Sequence, residues 1–546
     1  MPLQNRWFRH FWLKGLNSLP NKGESQAAEK SRFLFPNKKF DTASGKKIFG
    51  LVVAAACLAY YSWLLGTNVC DVAGGADSSG YVNFAWRLRH GGLVDQIKGI
   101  EILGLGDEFV PIFYPLGFTR GPKSRTMVPE YPAGLPIFMV IFAELFGWNL
   151  GPFLVSPLAA IACLFLMYGL SRKYGLSPPW SLLGAAVLAL FAVFLFQAVQ
   201  PMSDILAMAW GMLAVFAAIL ARKRTGWAWL AGAAFGLNVL VRPTNIFLLL
   251  PLVFALPAKP RVYLRFVLGG LLFGVLQAAL NQTLFGSALV SPYRGQQLSS
   301  VVMAELTKRI ALFGKWLCGM LTVVFPLAWL VAPANRLIPR RDRWLLIFWF
   351  APFLILYSIF DFVNMWTFVR YLLPGLPALI LSGLLMMRDA VEFGRRKIRA
   401  VRRFAGRPPT WLIRLPMVAV GVLCFFILRA EKHEIRDLKV MEVNEYEAVY
   451  RTSCQAVRGA VPERSVVLAM QLSGALTYYT KVLPARWDLM TPKQFEVLSQ
   501  KAALNGYRIY ALLFPFEEQE FLKNAPGAWE KISNYEFVTL WKYQGP

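Results

Sequence analysis

The sequence predicts an α-helical polytopic membrane protein with about eleven transmembrane helices and a small C-terminal α/β domain on the outer face. Three observations predict it. Apolar residues make up 56% of the 546, charged residues only 16%, and mean hydropathy is +0.45, whereas soluble domains carry about a quarter charged residues. The apolar residues arrive in runs close to the roughly 20 that a bilayer crossing needs. Beyond residue 429 the runs shorten and charge returns.

In chain order, residues 1–47 are polar and basic and read as a cytoplasmic tail. The first apolar run, 48–66, lacks a clear small-residue cleavage site before Thr67, so it reads as an uncleaved, outward-going span. An outer loop over 67–151 comes next. Further spans fall at about 152–170, 178–198, 204–221, 226–241, 245–257, 262–284, 311–333, 344–361, 371–387 and 411–428. The membrane domain is therefore 48–428 and the outer domain 429–546.

One segment decides the count. Residues 132–147 (PAGLPIFMVIFAELFG) are apolar, but they are few for a crossing and carry Glu144. If they crossed, Arg172-Lys173, Arg222-Lys223-Arg224, Lys259 with Arg261, Arg336 to Arg343 and Arg388 to Arg407 would all lie outside. As an amphipathic or re-entrant helix on the outer surface, the segment leaves every one of these clusters in the cytoplasm, as short basic loops require. Lys308 and Arg309 are the exceptions. The expected setting is the bacterial inner membrane, N-terminus inside and C-terminal domain outside.

A formal charge of +27 would suggest nucleic acid in a soluble chain. Here the basic residues lie between apolar runs, so membrane lipids account for them and nucleic acid is not an expected partner. Four of the six cysteines lie in apolar runs; Cys70 and Cys454 fall on the outer face, where a disulfide is permitted. The three histidines are too scattered for a histidine-based metal centre. In the C-terminal part, 465–470, 508–514 and 537–541 read as strands, and 474–480 and 492–504 as helices between them.

With this topology, polar residues at the outer ends of different spans converge: Asp77, Glu130, Asp204, Arg242, Tyr293, Arg294, Asp361, Arg370 and Tyr371. Ionisable groups at membrane depth usually line a cavity, although a single interfacial charge can also snorkel to water. Asp77 stands before a helical stretch, either as an ordinary N-cap or as a general base for an acceptor nucleophile. Arg242-Pro243-Thr244-Asn245 interrupts an otherwise continuous apolar stretch, which is tolerated where backbone lines a polar cavity. The guanidinium there suits a phosphate, or else marks a hairpin tip. Asp204 opens a span, where the helix dipole favours an acid. Glu130 precedes the surface helix begun by Tyr131-Pro132-Ala133-Gly134, as a cap or to orient Asp77 or the acceptor.

Asp77 before Ser78-Ser79-Gly80-Tyr81, then Tyr131-Pro132-Ala133-Gly134-Leu135-Pro136 running to Leu145-Phe146-Gly147, resembles the first outer loop of the GT-C glycosyltransferases. The likeness is nearest to the bacterial branch related to protein O-mannosyltransferases and to the lipid A aminoarabinose transferase. Met202-Ser203-Asp204, Arg242-Pro243-Thr244 and Arg370-Tyr371-Leu372-Leu373-Pro374 fall at comparable places, and the likeness covers roughly 48–380. The resemblance implies a hexosyl or pentosyl transferase that takes a sugar from a polyprenyl-phosphate-linked donor to a lipid, glycan or protein acceptor, with inversion. It implies Asp77 as catalytic base and Glu130 as a second acid. It places the lipid phosphate by Arg242 and Arg370, and the outer-face position of Asp204, Tyr293, Arg294 and Tyr371 makes them candidate substrate-binding residues beside these arginines. Relatives commonly show an Asp-Glu pair; here Ser78 follows Asp77, so no metal ligand and no certain cofactor is assigned, and dependence on a divalent metal stays open. The competing reading is a transporter or flippase for a lipid-linked saccharide, which predicts repeated halves; the sequence shows no internal repeat.

Overall fold

The computed structural model describes residues 42–290, 305–360, 365–405 and 410–545. The chain divides after Cys57. The described residues before that point belong to helix α1 (Thr42–Thr67); all other elements lie in the unit that starts at Leu58.

The first loop holds α2 (Asp77–His90), β1 (Asp95–Gln96), α3 (Lys98–Leu103), β2 (Phe118–Arg120) and β3 (Thr126–Pro129), and ends in the apolar α4 (Gly134–Phe146). The bundle consists of α5 (Gly151–Lys173), α6 (Pro178–Leu190), α7 (Ala192–Ala198), α8 (Ser203–Ala221), α9 (Trp227–Val241), α10 (Leu249–Ala255), α11 (Pro260–Phe285), α12 (Leu306–Leu321), α13 (Val324–Val331), α14 (Arg340–Ser358), α15 (Leu376–Ala405) and α16 (Thr410–Asp437). The C-terminal part runs α17 (Val443–Ala460), β4 (Ser465–Leu468), α18 (Ser473–Tyr479), β5 (Leu483–Ala485), α19 (Pro492–Leu504), β6 (Arg508–Leu513), α20 (Glu518–Asn524), β7 (Ala528–Tyr535) and β8 (Val538–Gly545).

The protein is a multi-pass membrane protein. Among the described residues, five helical segments are long and apolar enough to cross a bilayer, or six if α6 and α7, bent by 67° at Phe191, form one broken span. Of the other expected spans, 344–361 and 411–428 fall on the continuous helices α14 and α16, and the rest on shorter or interrupted helices. The stretch 311–333, expected to be one span, is two helices broken around Thr322, which takes a left-handed φ of 64°. Pro326 is the physical reason: it has no amide to donate to the carbonyl of residue 322, so the helical ladder stops there. Helix α4 has 13 residues, about 20 Å of helix against a hydrocarbon core of about 30 Å, so it is too short for a crossing.

Burial separates the bundle's centre from its lipid face. The α8 window is 72% buried, and Ala207, Gly211, Ala214, Ala217, Ala218 and Ala221 let it pack closely against its neighbours α5 and α9. The α11 window is only 11% buried and presents leucine and valine outward.

The C-terminal sheet has the order β5-β4-β6-β8-β7; β5, β4 and β6 are parallel, and β8 and β7 are antiparallel additions. The three strands expected from the sequence are β4, β6 and β8. β5, of three residues, and β7, whose side chains are half-buried or exposed, carry no apolar run to announce them. One face of this sheet completes a core with the first loop: Ile100, Leu103, Phe109 and Phe113 pack with Val466, Leu468, Phe495 and Leu513. Hydrogen bonds stitch the same contact. The Asn83 side chain donates to the Gly474 carbonyl at 3.0 Å, the Leu116 amide donates to Ser473 Oγ at 3.0 Å, and the Arg486 amide donates to the Ile112 carbonyl at 2.7 Å. Cys70 and Cys454 are buried, unpaired thiols, so the permitted disulfide is not formed.

Helix α17 approaches the start of the loop so closely that a Cβ on Gly74 would collide with the Glu447 carboxylate and the Tyr450 ring. Burial pushes the Glu447 carboxyl up to about 7 from its ordinary 4.5. A raised carboxyl favours the folded state fully below its unfolded pKa and loses that contribution as pH climbs through the folded one. Thermal stability in detergent is therefore expected to fall between about pH 4.5 and 7, and Glu447→Gln to flatten that fall. A variant with the wild-type slope would remove Glu447 as its cause.

Candidate active site

Polar side chains from separate elements meet at one end of the bundle. Asp77 is the first residue of α2, and the capping position belongs to Ala76. Its carboxylate therefore does not serve as the N-cap. One oxygen accepts the Tyr131 hydroxyl at 2.7 Å and the other accepts the Arg370 guanidinium at 2.7 Å. The pair is largely enclosed, the side chains of Arg370 and Asp77 being 17% and 29% exposed. Burial alone would raise the Asp77 carboxyl, but Arg370 and the Tyr131 hydroxyl, with Arg242 adding to them, outweigh it and hold it below the usual carboxylate range.

Tyr131 packs its ring 4.7 Å from that of Tyr81, whose hydroxyl donates to Ser203 Oγ at 2.9 Å. That contact ties α2 to the start of α8, where the neighbouring Asp204 forms an ion pair with Arg242; both residues are buried. Arg242 ends α9 with extended backbone, as expected of a residue ahead of proline, and a 3-10 turn over Pro243–Leu248 comes next. Helix α4 is pressed against this point. A Cβ on Gly134 would strike the backbone of Val241, which explains the glycine in the Tyr131-Pro132-Ala133-Gly134 stretch.

Tyr371 sits between the two arginines, its ring centre 5.2 Å from the guanidinium carbons of both Arg242 and Arg370. It stacks on Tyr357 at 4.6 Å, and the Tyr357 hydroxyl shares a hydrogen bond of 2.8 Å with Thr244 Oγ1. Glu130 follows β3, with its amide bonded to the Gly117 carbonyl at 3.0 Å. Burial first, then the charge of Asp77, pushes its carboxyl up, opposed by Arg486 from the C-terminal sheet.

The basic loops lie at the other end. Arg222, just past the end of α8, pairs with Asp342 at 2.7 Å and donates to the Ala255 carbonyl at 2.9 Å, and Arg343 donates to the Pro333 carbonyl at 2.7 Å. The 19 residues of α8 separate the two ends by about 28 Å, close to the hydrocarbon thickness.

The structure thus gathers Asp77, Glu130, Asp204, Arg242, Arg370 and Tyr371. Tyr293, Arg294 and Asp361 lie outside the described residues. Lys308 makes an exposed pair with Glu305 at 2.9 Å. Tyr131 as the partner of Asp77, Tyr81, Thr244 and Tyr357 were not singled out from the sequence. The first lay in a recognised motif, whereas Tyr357 sits in an apolar run and nothing in the sequence ties it to Thr244. No cluster of three or more His, Cys, Asp or Glu occurs among the described residues. Chemically, two guanidiniums and phenol hydroxyls beside an ionised carboxylate can hold a phosphate near a proton acceptor.

No family model matches the sequence, and no curated protein matches it. Solved structures do match its fold. ArnT from Cupriavidus metallidurans in the apo state aligns with 92% of this chain and 98% of its own, at 13% identity and a TM-score of 0.53. ArnT bound to undecaprenyl phosphate aligns over the same shares at 13% identity and a TM-score of 0.50. The Archaeoglobus fulgidus oligosaccharyltransferase tethered to an acceptor peptide aligns with 88% of this chain and 73% of its own, at 10% identity and a TM-score of 0.53. The chain has the GT-C fold.

Breaking the Asp204–Arg242 pair from one side leaves a buried guanidinium without its carboxylate. Asp204→Asn is expected to cost about 3 to 5 kcal/mol, read as a lower unfolding midpoint in detergent, and Asp204→Asn with Arg242→Met to recover much of it. A single variant that unfolds with wild type would show that the pair does not stabilise the bundle.

Proposed function

We propose that the protein is a membrane glycosyltransferase that moves a hexosyl or pentosyl unit from a polyprenyl-phosphate-linked donor to an acceptor at the outer face of the cytoplasmic membrane, with inversion. The observation that carries this reading is the Asp77 carboxylate held by Arg370 and Tyr131 beside the Asp204–Arg242 pair at one end of an apolar bundle. Such a charged layer is what a lipid phosphate at the membrane interface requires. The fold is shared with ArnT, whose structure has been determined with undecaprenyl phosphate bound, and with AglB, determined with an inhibitory peptide and a dolichol-phosphate.

The polyprenyl tail lies along the bundle's apolar flank, and Arg242, Arg370 and Tyr371 face its phosphate. A carboxylate offers about four lone-pair sites, and the two bonds to Tyr131 and Arg370 leave others for an acceptor hydroxyl. Asp77 takes the hydroxyl proton as the acceptor oxygen attacks the anomeric carbon, and the carbon–oxygen bond to phosphate breaks on the opposite side. Phosphate leaves as an anion, so no general acid is needed, and the guanidiniums stabilise the charge growing on it. Glu130, pushed toward the protonated form while Asp77 stays ionised, orients the acceptor; two acids driven apart in this way suit different roles. The acceptor is a lipid, glycan or protein, and the C-terminal domain, which reaches Glu130 through Arg486, helps to select it.

Transfer from radiolabelled polyprenyl-phosphate sugars in membranes tests the assignment. Asp77→Asn is expected to lose about 10²- to 10⁴-fold in rate with the protein still expressed and folded, at a lower unfolding midpoint; unchanged turnover removes Asp77 as the base. Because Asp77 is held low, the wild-type rate is expected to fall only below the ordinary carboxylate range.

Sidedness is a consequence of the same reading. Cysteines placed at Glu130 and Lys223 are expected to react with an impermeant maleimide from opposite faces, Glu130→Cys from outside. Labelling of both from one face would dismantle the topology.

A further inference from the structure

We infer that the cavity between the starts of α9 and α11 binds the phosphate headgroup of an anionic phospholipid. It lies at the end of the bundle away from Asp77 and is independent of the proposed transfer reaction. The cavity measures about 420 Å³ and is lined by Thr225, Lys259, Pro260, Arg261, Val262 and Arg265. Three of its six lining residues are cations and none is an acid.

The surrounding sequence sharpens this imbalance. From Ile205 to Ala304 there is no Asp or Glu, yet that stretch holds eight Lys and Arg. Two of the eight, Arg222 and Arg242, have carboxylate partners supplied from elsewhere in the chain. Among the described residues, Lys259, Arg261 and Arg265 have none. Arg265 is fixed instead by donating to Thr225 Oγ1 at 2.6 Å, which orients its guanidinium and leaves its other N–H groups free to bond. Cations that merely snorkel spread apart into water. Three gathered around one concavity without an acid repel each other until an anion enters. Pro260 opens the 26-residue α11, so the amide dipoles of its first turn add to the same potential.

The flank of the cavity selects a lipid over a free phosphate. Leu264, Val267, Leu268, Leu271 and Leu272 are exposed along α11 directly beyond the cations. Trp227 and Trp229 are exposed at the start of α9, as residues at the headgroup level commonly are. A charged pocket with an apolar stripe running away from it matches a phospholipid, headgroup first and acyl chains along the helix. Basic pockets between helices on the side of the basic loops hold such headgroups by the same chemistry.

Full-length protein in nanodiscs of phosphatidylcholine, with or without phosphatidylglycerol, tests the inference by native mass spectrometry and thermal unfolding. Wild type is expected to retain phosphatidylglycerol and to melt higher in its presence. Lys259→Gln/Arg261→Gln/Arg265→Gln is expected to retain it several-fold less. Lys223→Gln/Arg224→Gln, which removes neighbouring cations that do not line the cavity, is expected to behave as wild type. Retention unchanged in the triple variant overturns the site, and equal loss in the control reduces it to net charge. Stabilisation in phosphatidylcholine by inorganic phosphate alone, matching that by phosphatidylglycerol, overturns the lipid in favour of a soluble phosphate ligand. The single variant Arg261→Gln, at an exposed position, gives the same readout if the triple variant does not fold.

Discussion

A carboxylate and a guanidinium 293 residues apart in sequence, joined at the margin of an apolar bundle, set the position of most of what surrounds them. Neither group can be left alone there, because an unpaired charge withdrawn from water costs several kcal/mol. The Asp77–Arg370 pair therefore fixes α2 against the turn that leads into α15. The Tyr131 hydroxyl on the second carboxylate oxygen extends the constraint to the approach of α4. One ionised group thereby orders three segments that share no contact in sequence.

The second pair, Asp204 with Arg242, makes the charged layer neutral as a whole: two acids, two arginines, with Tyr371 between the arginines. The fold tolerates a neutral layer at that depth. Glu130 lies beside this layer, its carboxyl pushed up by burial and by the nearness of Asp77, against the pull of Arg486.

Much of this was legible in the sequence, for identifiable reasons. The polar residues that interrupt apolar runs stand out against their background, so Asp77, Asp204, Arg242 and Arg370 could be chosen one by one, and the positive-inside rule placed them at one end. The strands β4, β6 and β8 carry apolar runs that mark them. What could not be read was pairing. Asp77 looks equally like a cap from sequence, and only the placement of Tyr131 and Arg370 shows where its oxygens go. Tyr357 and Thr244 are unremarkable until they meet. The break at Thr322 was hidden because hydropathy averages across a proline that the backbone cannot ignore.

The C-terminal sheet carries the least expected consequence. The first loop has strands of two to four residues, and such short pieces do not hold themselves together in water. Their hydrophobic side chains are completed from outside: Phe109 and Phe113 are buried in one cluster with Val466, Leu468 and Leu513. The segment that presents Asp77 and Glu130 is thus folded on a surface supplied by residues nearly 400 positions later. Asn83, about one and two-thirds turns along α2 from Asp77, is bonded to Gly474 in α18, so a displacement of α18 moves the helix that carries the carboxylate. A displacement of the C-terminal part has a direct mechanical route to Asp77, through hydrogen bonds rather than through the helices of the bundle.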